Sequence, residues 1–289
     1  MNTITATRFQ TQGRTFLLLA GLTALFVSLG GLLGGSSFAL LFAAIAVVSN
    51  VVMYWKSDKL ALRMSRAQPL AETDDPELYA MVRRLAGRAG VPMPRLYVIP
   101  QEQPNAFATG RNPENAAIAV TAGIRRHMPA YQLEGVLAHE FAHIKNRDIL
   151  VQTVAATIGG VIAALANALQ FSFLFGGSDD EDSGPLGMIG ALAAIILAPI
   201  AAMLIQMAVS RQREYLADAT GAQLLGTPRP LADALESLEQ GTRLLPMRVS
   251  PAAEPLYIVS PLSGQGLSGL FATHPPLQER VARLRALTV

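Results

Sequence analysis

Apolar and polar positions divide the chain into three long charge-free stretches set between segments of mixed polarity. From Thr15 to Trp55 no Asp, Glu, Lys, Arg or His occurs. As a helix this run would extend roughly 60 Å, about two hydrocarbon thicknesses, so two spans are expected. Gly30, Gly31, Gly34, Gly35, Ser36 and Ser37 lie at its middle, where glycine permits a tight reversal. A second apolar run starts directly after these small residues, which favours a retained hairpin over a cleaved signal peptide. Ile149 to Ser178 and Ser183 to Ser210 are again free of charge, separated by Asp179, Asp180, Glu181 and Asp182. A second spanning hairpin is expected there. Gln152, Asn167, Gln170 and Gln206 leave open a buried pair inside the polar part.

The polar segments carry shorter periods. Asp75-Pro76 reads as a helix start, followed by Leu78, Met81, Val82 and Leu85 at helical spacing as far as Gly90. Leu96 to Ile99 reads as a strand. Ala106 to Thr109 and Ala116 to Thr121 flank the turn-rich Gly110 to Asn115 and read as two adjacent strands. A longer helix is predicted from about Ala130 to Asn146, with Leu133, Val136, Leu137, Phe141 and Ile144 as its buried stripe. A last helix follows Pro275-Pro276, and the Gly-, Pro- and Ser-rich stretch from about 246 to 269 reads as an irregular loop.

Composition sharpens this picture. With 51% apolar and only 15% charged residues, a wholly soluble chain is disfavoured. A net charge of +2 and the absence of any long basic run argue against a nucleic-acid partner. Lys and Arg flank every apolar run, and the two loops inside the hairpins carry none. By the positive-inside rule both termini and the polar segments face the cytoplasm. The expected organisation is an N-terminal transmembrane hairpin, 1–55, and a cytoplasmic domain built from 56–148 and 209–289. The second hydrophobic hairpin, 149–208, interrupts that domain.

With no cysteine in the chain, any zinc must be held by His and carboxylate. His139-Glu140-Phe141-Ala142-His143 stands on the predicted long helix. Residues four apart share a face, so both imidazoles reach one cation while Glu140 projects beside them as a general base. A catalytic zinc takes three protein ligands, leaving a downstream carboxylate or His274 as the third. Glu214 is the best placed, and Asp218, one helical turn on, is positioned to support a ligand histidine. His143 and Glu214 both lie close in sequence to the second apolar pair, which puts them within roughly 10–15 Å of a membrane surface.

His139 to His143 with Asn146 and Asp148, then Arg213-Glu214-Tyr215 with Ala217-Asp218-Ala219, then Thr273-His274-Pro275-Pro276, all set among paired apolar runs, resemble the HtpX-type membrane zinc endopeptidases. The resemblance implies a mainly α membrane protein. Two transmembrane helical hairpins would carry an α+β zincin-like protease domain with a small sheet. It assigns one zinc to His139, His143 and Glu214, general-base duty to Glu140 and support to Asp218. The oxyanion would be stabilised by His274, with Tyr215 as the alternative. Asn105-Ala106-Phe107 resembles the edge strand on which such enzymes align an extended substrate. The implied setting is the bacterial inner membrane, with misfolded membrane proteins or unfolded polypeptides as substrates, as part of stress-responsive quality control.

Overall fold

Side chains along the strands sort by parity into two cores. In the computed structural model, which describes residues 3–154, 156, 211–245, 247, 256–260 and 275–289, β1 (Gln68–Pro69), β2 (Arg95–Ile99), β3 (Ala106–Thr109) and β4 (Ala117–Thr121) form one sheet in the order β1-β2-β4-β3. β2 and β4 run parallel, while β1–β2 and β3–β4 are antiparallel. Ala106, Ala108, Ile118 and Val120 enter the larger core, and their alternate neighbours Phe107, Ala117 and Ala119 enter the smaller one on the opposite face. Burial on both faces explains why β3 and β4 read as near-continuous apolar runs.

The larger core is built around helices. α1 (Thr3–Met64) leads into the sheet, and α2 (Pro76–Ala89) begins where the Asp75 carboxylate accepts the Leu78 N–H at 3.0 Å. The short α3 (Ala122–His127) follows β4, and α4 (Ala130–Asn146) runs through the middle of the domain. Beyond it come α5 (Arg211–Leu225), α6 (Arg229–Leu244) and α7 (Leu277–Arg285). α4 packs against α5 and α6, and also against α2 and β3. Its stripe Leu133, Val136, Leu137, Phe141 and Ile144 is completely buried, each side chain contributing about 1.5–3 kcal/mol of transfer free energy.

Close approach of α4 and α6 depends on Gly135. A Cβ at this position would lie 2.6 Å from both Leu231 N and Pro230 C. These are backbone atoms, so the helices must separate to admit it. Gly135→Ala is expected to destabilise the domain by about 1–3 kcal/mol, seen as a lowered Tm. An unchanged Tm would mean that this contact is not a tight one.

α1 is not one straight rod. Gly35 has φ +67, and the Asn50 side-chain amide donates to Thr23 Oγ1 at 2.8 Å. A straight helix would hold these two residues about 40 Å apart, so the chain doubles back between them. Gly35–Val52 is long and apolar enough to cross a membrane, with mean hydropathy 2.0, and its large apolar side chains are mostly exposed. Tyr54 and Trp55 follow it, with the Arg111 guanidinium 4.5 Å from the Trp55 ring centroid. Two turns further on, Ala61 and Leu62 pack into the smaller core behind the sheet. Most of the second apolar pair, most of the 246–269 stretch and His274 lie outside the described residues.

Candidate active site

The end of α4 arranges the site. Helical spacing brings His139 and His143 onto one face, with Nε2 atoms 3.1 Å apart and ring planes nearly perpendicular. Glu214, in the first turn of α5, faces both: Oε2 is 3.6 Å from His139 Nε2 and Oε1 is 3.8 Å from His143 Nε2. One ligand atom from each of the three residues lies within 4.8 Å of the other two, and all three residues are buried.

Each ring is aimed by a carboxylate behind it. α4 closes with the Arg147 N–H on the Ile144 carbonyl and the Asp148 N–H on the His143 carbonyl, both at 3.2 Å. This is the paired closure of a Schellman motif, and it requires Arg147 at φ 60. The turn delivers the Asp148 carboxylate to His143 Nδ1 at 3.0 Å. His139 Nδ1 lies 2.9 Å from Asp218 Oδ1. Asp218 in turn receives two hydrogen bonds from Arg280 of α7, from Nη2 at 2.7 Å and from Nε at 2.9 Å. Arg280 is 1% exposed, and its Nη2 lies 3.5 Å from the His139 ring.

This donor set fits zinc. With both Nδ1 atoms donating to carboxylates, the two Nε2 lone pairs confront each other, an arrangement that calls for a cation between them. Tetrahedral zinc with Zn–N of about 2.0–2.1 Å would hold two ligand nitrogens about 3.3 Å apart. Without metal a proton meets the same demand. Burial opposes charge on His143, but Asp148, Glu214 and Glu140 outweigh it and raise its pKa to about 10. Burial likewise opposes charge on His139, and the hydrogen bonds its ring donates to the Asp218 and Glu214 carboxylates outweigh it, leaving that pKa above its ordinary value. Arg280 prevails over burial at Asp218 and holds its pKa at about 2. Zinc must therefore expel a proton that His143 keeps below about pH 10. Zinc affinity is expected to rise between pH 6 and 8, about tenfold per unit for each proton displaced, as measured by chelator competition. A flat profile would show that neither ring holds a proton in the zinc-free site over this range.

Glu140 is buried beside the two histidines, and burial raises its pKa while the imidazoles pull it down. The Ala108 backbone on the outer edge of β3 bonds to it, so the edge strand adjoins the acid. Asn105 and Ala106 are buried on that edge, whereas the Phe107 side chain packs in the smaller core against Tyr257. The Tyr215 ring lies under the Arg283 guanidinium, 3.9 Å to its centroid, and its hydroxyl bonds to Glu279 of α7. His127 is half-exposed beside Glu102. Sequence reasoning assigned no role to Arg280 or to Asp148. The first is one of several Arg on α7, and the second was visible only as part of the motif after His143.

The sequence profile of peptidase family M48 matches residues 72–288. The chain belongs to peptidase family M48. This M48 peptidase is a zinc metalloendopeptidase, and its His139, His143 and Glu214 fit a single zinc ion. It is 55% identical over 278 residues to a protein named Protease HtpX homolog from Syntrophobacter fumaroxidans, covering 95% of this chain and 98% of that one. A protein of the same name from Pelotomaculum thermopropionicum is 52% identical, with 96% and 99% covered. The crystal structure of S. mikatae Ste24p matches the M48 chain with a TM-score of 0.51 at 21% identity, over 97% of this chain and 67% of that one. That likeness concerns the fold.

Proposed function

We propose that this peptidase is an integral-membrane enzyme that hydrolyses peptide bonds of misfolded or damaged membrane proteins at the cytoplasmic face. His139, His143 and Glu214 hold the zinc in this reading. Bound zinc supplies an activated water and a polarised scissile carbonyl. Glu140 takes the water's proton and returns it to the leaving amine, a role suited to a buried carboxyl whose pKa lies above its usual range. Asp218 and Asp148 keep the two rings oriented. Asn105 and Ala106 align the substrate as an added strand, with Phe107 anchoring that strand from behind. His274, with Tyr215 as the alternative, stabilises the oxyanion. The observation that carries the reading is the convergence of two imidazoles and a distant carboxylate, with an acid beside them and an edge strand against that acid.

Membrane placement rests on the exposed apolar window Gly35–Val52, with Tyr54, Trp55 and Lys56 at its end as an interfacial belt. In this reading the second hydrophobic hairpin also crosses the membrane, and the chain divides as 1–55, 56–148 with 209–289, and 149–208. A cleavable segment tethered to the bilayer then experiences a high effective concentration at the site. In zinc-loaded proteoliposomes the tethered segment is expected to be cut about tenfold faster than the same segment free in solution. Equal rates would reject membrane proteins as the preferred substrates.

A further inference from the structure

The turn between β3 and β4 is rigid and lies against the end of the apolar window of α1. Gly110 has φ 143, and a Cβ there would come 2.7 Å from the Asn115 carbonyl oxygen, so the chain closes tightly on itself. The Asn112 side-chain carbonyl accepts the Asn115 N–H at 3.0 Å and the Asn115 side-chain amide at 2.7 Å. Arg95 ties the turn to α1, donating to Asp58 at 2.8 Å and to the Asn115 carbonyl at 3.5 Å. Held this way, the turn carries the Arg111 guanidinium onto the Trp55 ring, 4.5 Å from its centroid. Trp55 stands three residues past the window Gly35–Val52 and is 52% exposed.

Charge at this corner is unbalanced. Asp58 is taken up by Arg95, and Glu114 faces Arg147 at 3.9 Å. Arg111 and Lys59 have no carboxylate partner among the described residues. Lys59 is exposed one helical turn after Trp55 on the same face, and helical side chains lean toward the N-terminus, so its ammonium reaches back toward the ring. Stacking covers one face of a guanidinium and leaves its edge N–H groups for a forked acceptor such as a phosphate.

We propose that Trp55, Lys59 and Arg111 form a binding site for the headgroup phosphate of an anionic phospholipid. Arg111 forks onto the phosphate, Lys59 adds a second positive charge, and Trp55 packs under the guanidinium at the depth where headgroups meet acyl chains. Two unpaired cations select an anionic lipid, because a zwitterionic headgroup brings a cation of its own against them. Arg111 stands two residues past Thr109, the last residue of β3, so a bound headgroup also fixes the end of the edge strand at the bilayer surface. This inference rests on the membrane placement proposed above.

Trp55 is the sole tryptophan of the chain, so its fluorescence reports this site alone. The full-length, zinc-loaded protein is placed in phosphatidylcholine liposomes that contain a small fraction of acyl-brominated lipid, either phosphatidylglycerol or phosphatidylcholine. Brominated chains quench an indole on contact, and quenching is read relative to unbrominated liposomes. Brominated phosphatidylglycerol is expected to quench as though enriched at the ring over its bulk fraction, by roughly fivefold for each of the two cations at low salt. Arg111→Gln and Lys59→Gln are each expected to cut this enrichment about fivefold. Equal quenching by the two brominated lipids would overturn the inference and leave the membrane placement standing. Absence of quenching by either would reject both. Enrichment that survives both substitutions together would assign it to other residues. Loss of enrichment in inorganic phosphate, but not in chloride of the same ionic strength, would mark a site for soluble anions and reject the lipid.

Discussion

Replacing Glu140 by Gln is expected to leave zinc bound and to lower kcat/KM by about 10²–10⁴-fold, the usual contribution of a general acid–base group. Gln keeps the volume and can still accept the Ala108 backbone bond, so the local packing is retained. What disappears is the capacity to hold a proton between water and leaving amine. Zinc content and peptide cleavage measured on the same preparation check both halves. Loss of zinc in the variant would mean that Glu140 belongs to the ligand set. Retained cleavage would mean that a group other than Glu140 carries the proton, whereas a zinc-loaded native protein that cleaves nothing would be better described as a zinc-stabilised scaffold, since a purely structural site needs no acid beside its metal.

Arg280→Met is expected to have the largest effect on stability. Removing one partner of a buried ion pair leaves the other charge uncompensated, at a cost of about 3–5 kcal/mol. Asp218 would be that partner, at 4% exposure. Its pKa, held at about 2, lies below an unfolded value of about 3.9. The native pair therefore contributes stability that is complete above about pH 4 and is lost as pH falls toward 2. In the variant this acid-side dependence should shrink. Because Asp218 also orients His139, zinc affinity should fall by about 10–100-fold. Chelator competition separates the two roles: a lowered Tm with unchanged zinc affinity would reduce Arg280 to a packing residue. Arg280→Lys is not expected to rescue, because an ammonium cannot reproduce the two-pronged contact with Asp218.

What could be read from the sequence follows from how local each feature is. The helix Ala130–Asn146 and the strands after Pro94 and Gln103 carry their own periodicity and turn residues, and the structure places them within a residue of the expected bounds. His139 and His143 share one helix turn, which spacing alone reveals. β1 has only two residues, too short for any alternation to register. α6 has an apolar stripe of Leu231, Leu235 and Leu238 whose meaning depends on Gly135 lying opposite. Asp148 reaches His143 only because Arg147 adopts a left-handed backbone that residue types other than glycine rarely take. Arg280 differs from the neighbouring Arg283 and Arg285 solely in facing inward to a carboxylate 62 positions earlier. Helical spacing gives the face, and tertiary contact decides which cation on it is buried.

The Arg280 bridge also has a consequence for biosynthesis. It joins His139 to a residue 141 positions later, so a ribosome must translate that whole interval before the ring gains its final support. At roughly 5–20 residues per second the interval lasts about 10–30 s. The second apolar pair, Ile149 to Ser210, is translated within this interval, before the ring gains that support. The final support of His139 is thus a late step of synthesis, reached only once Arg280 has been made and can bind Asp218.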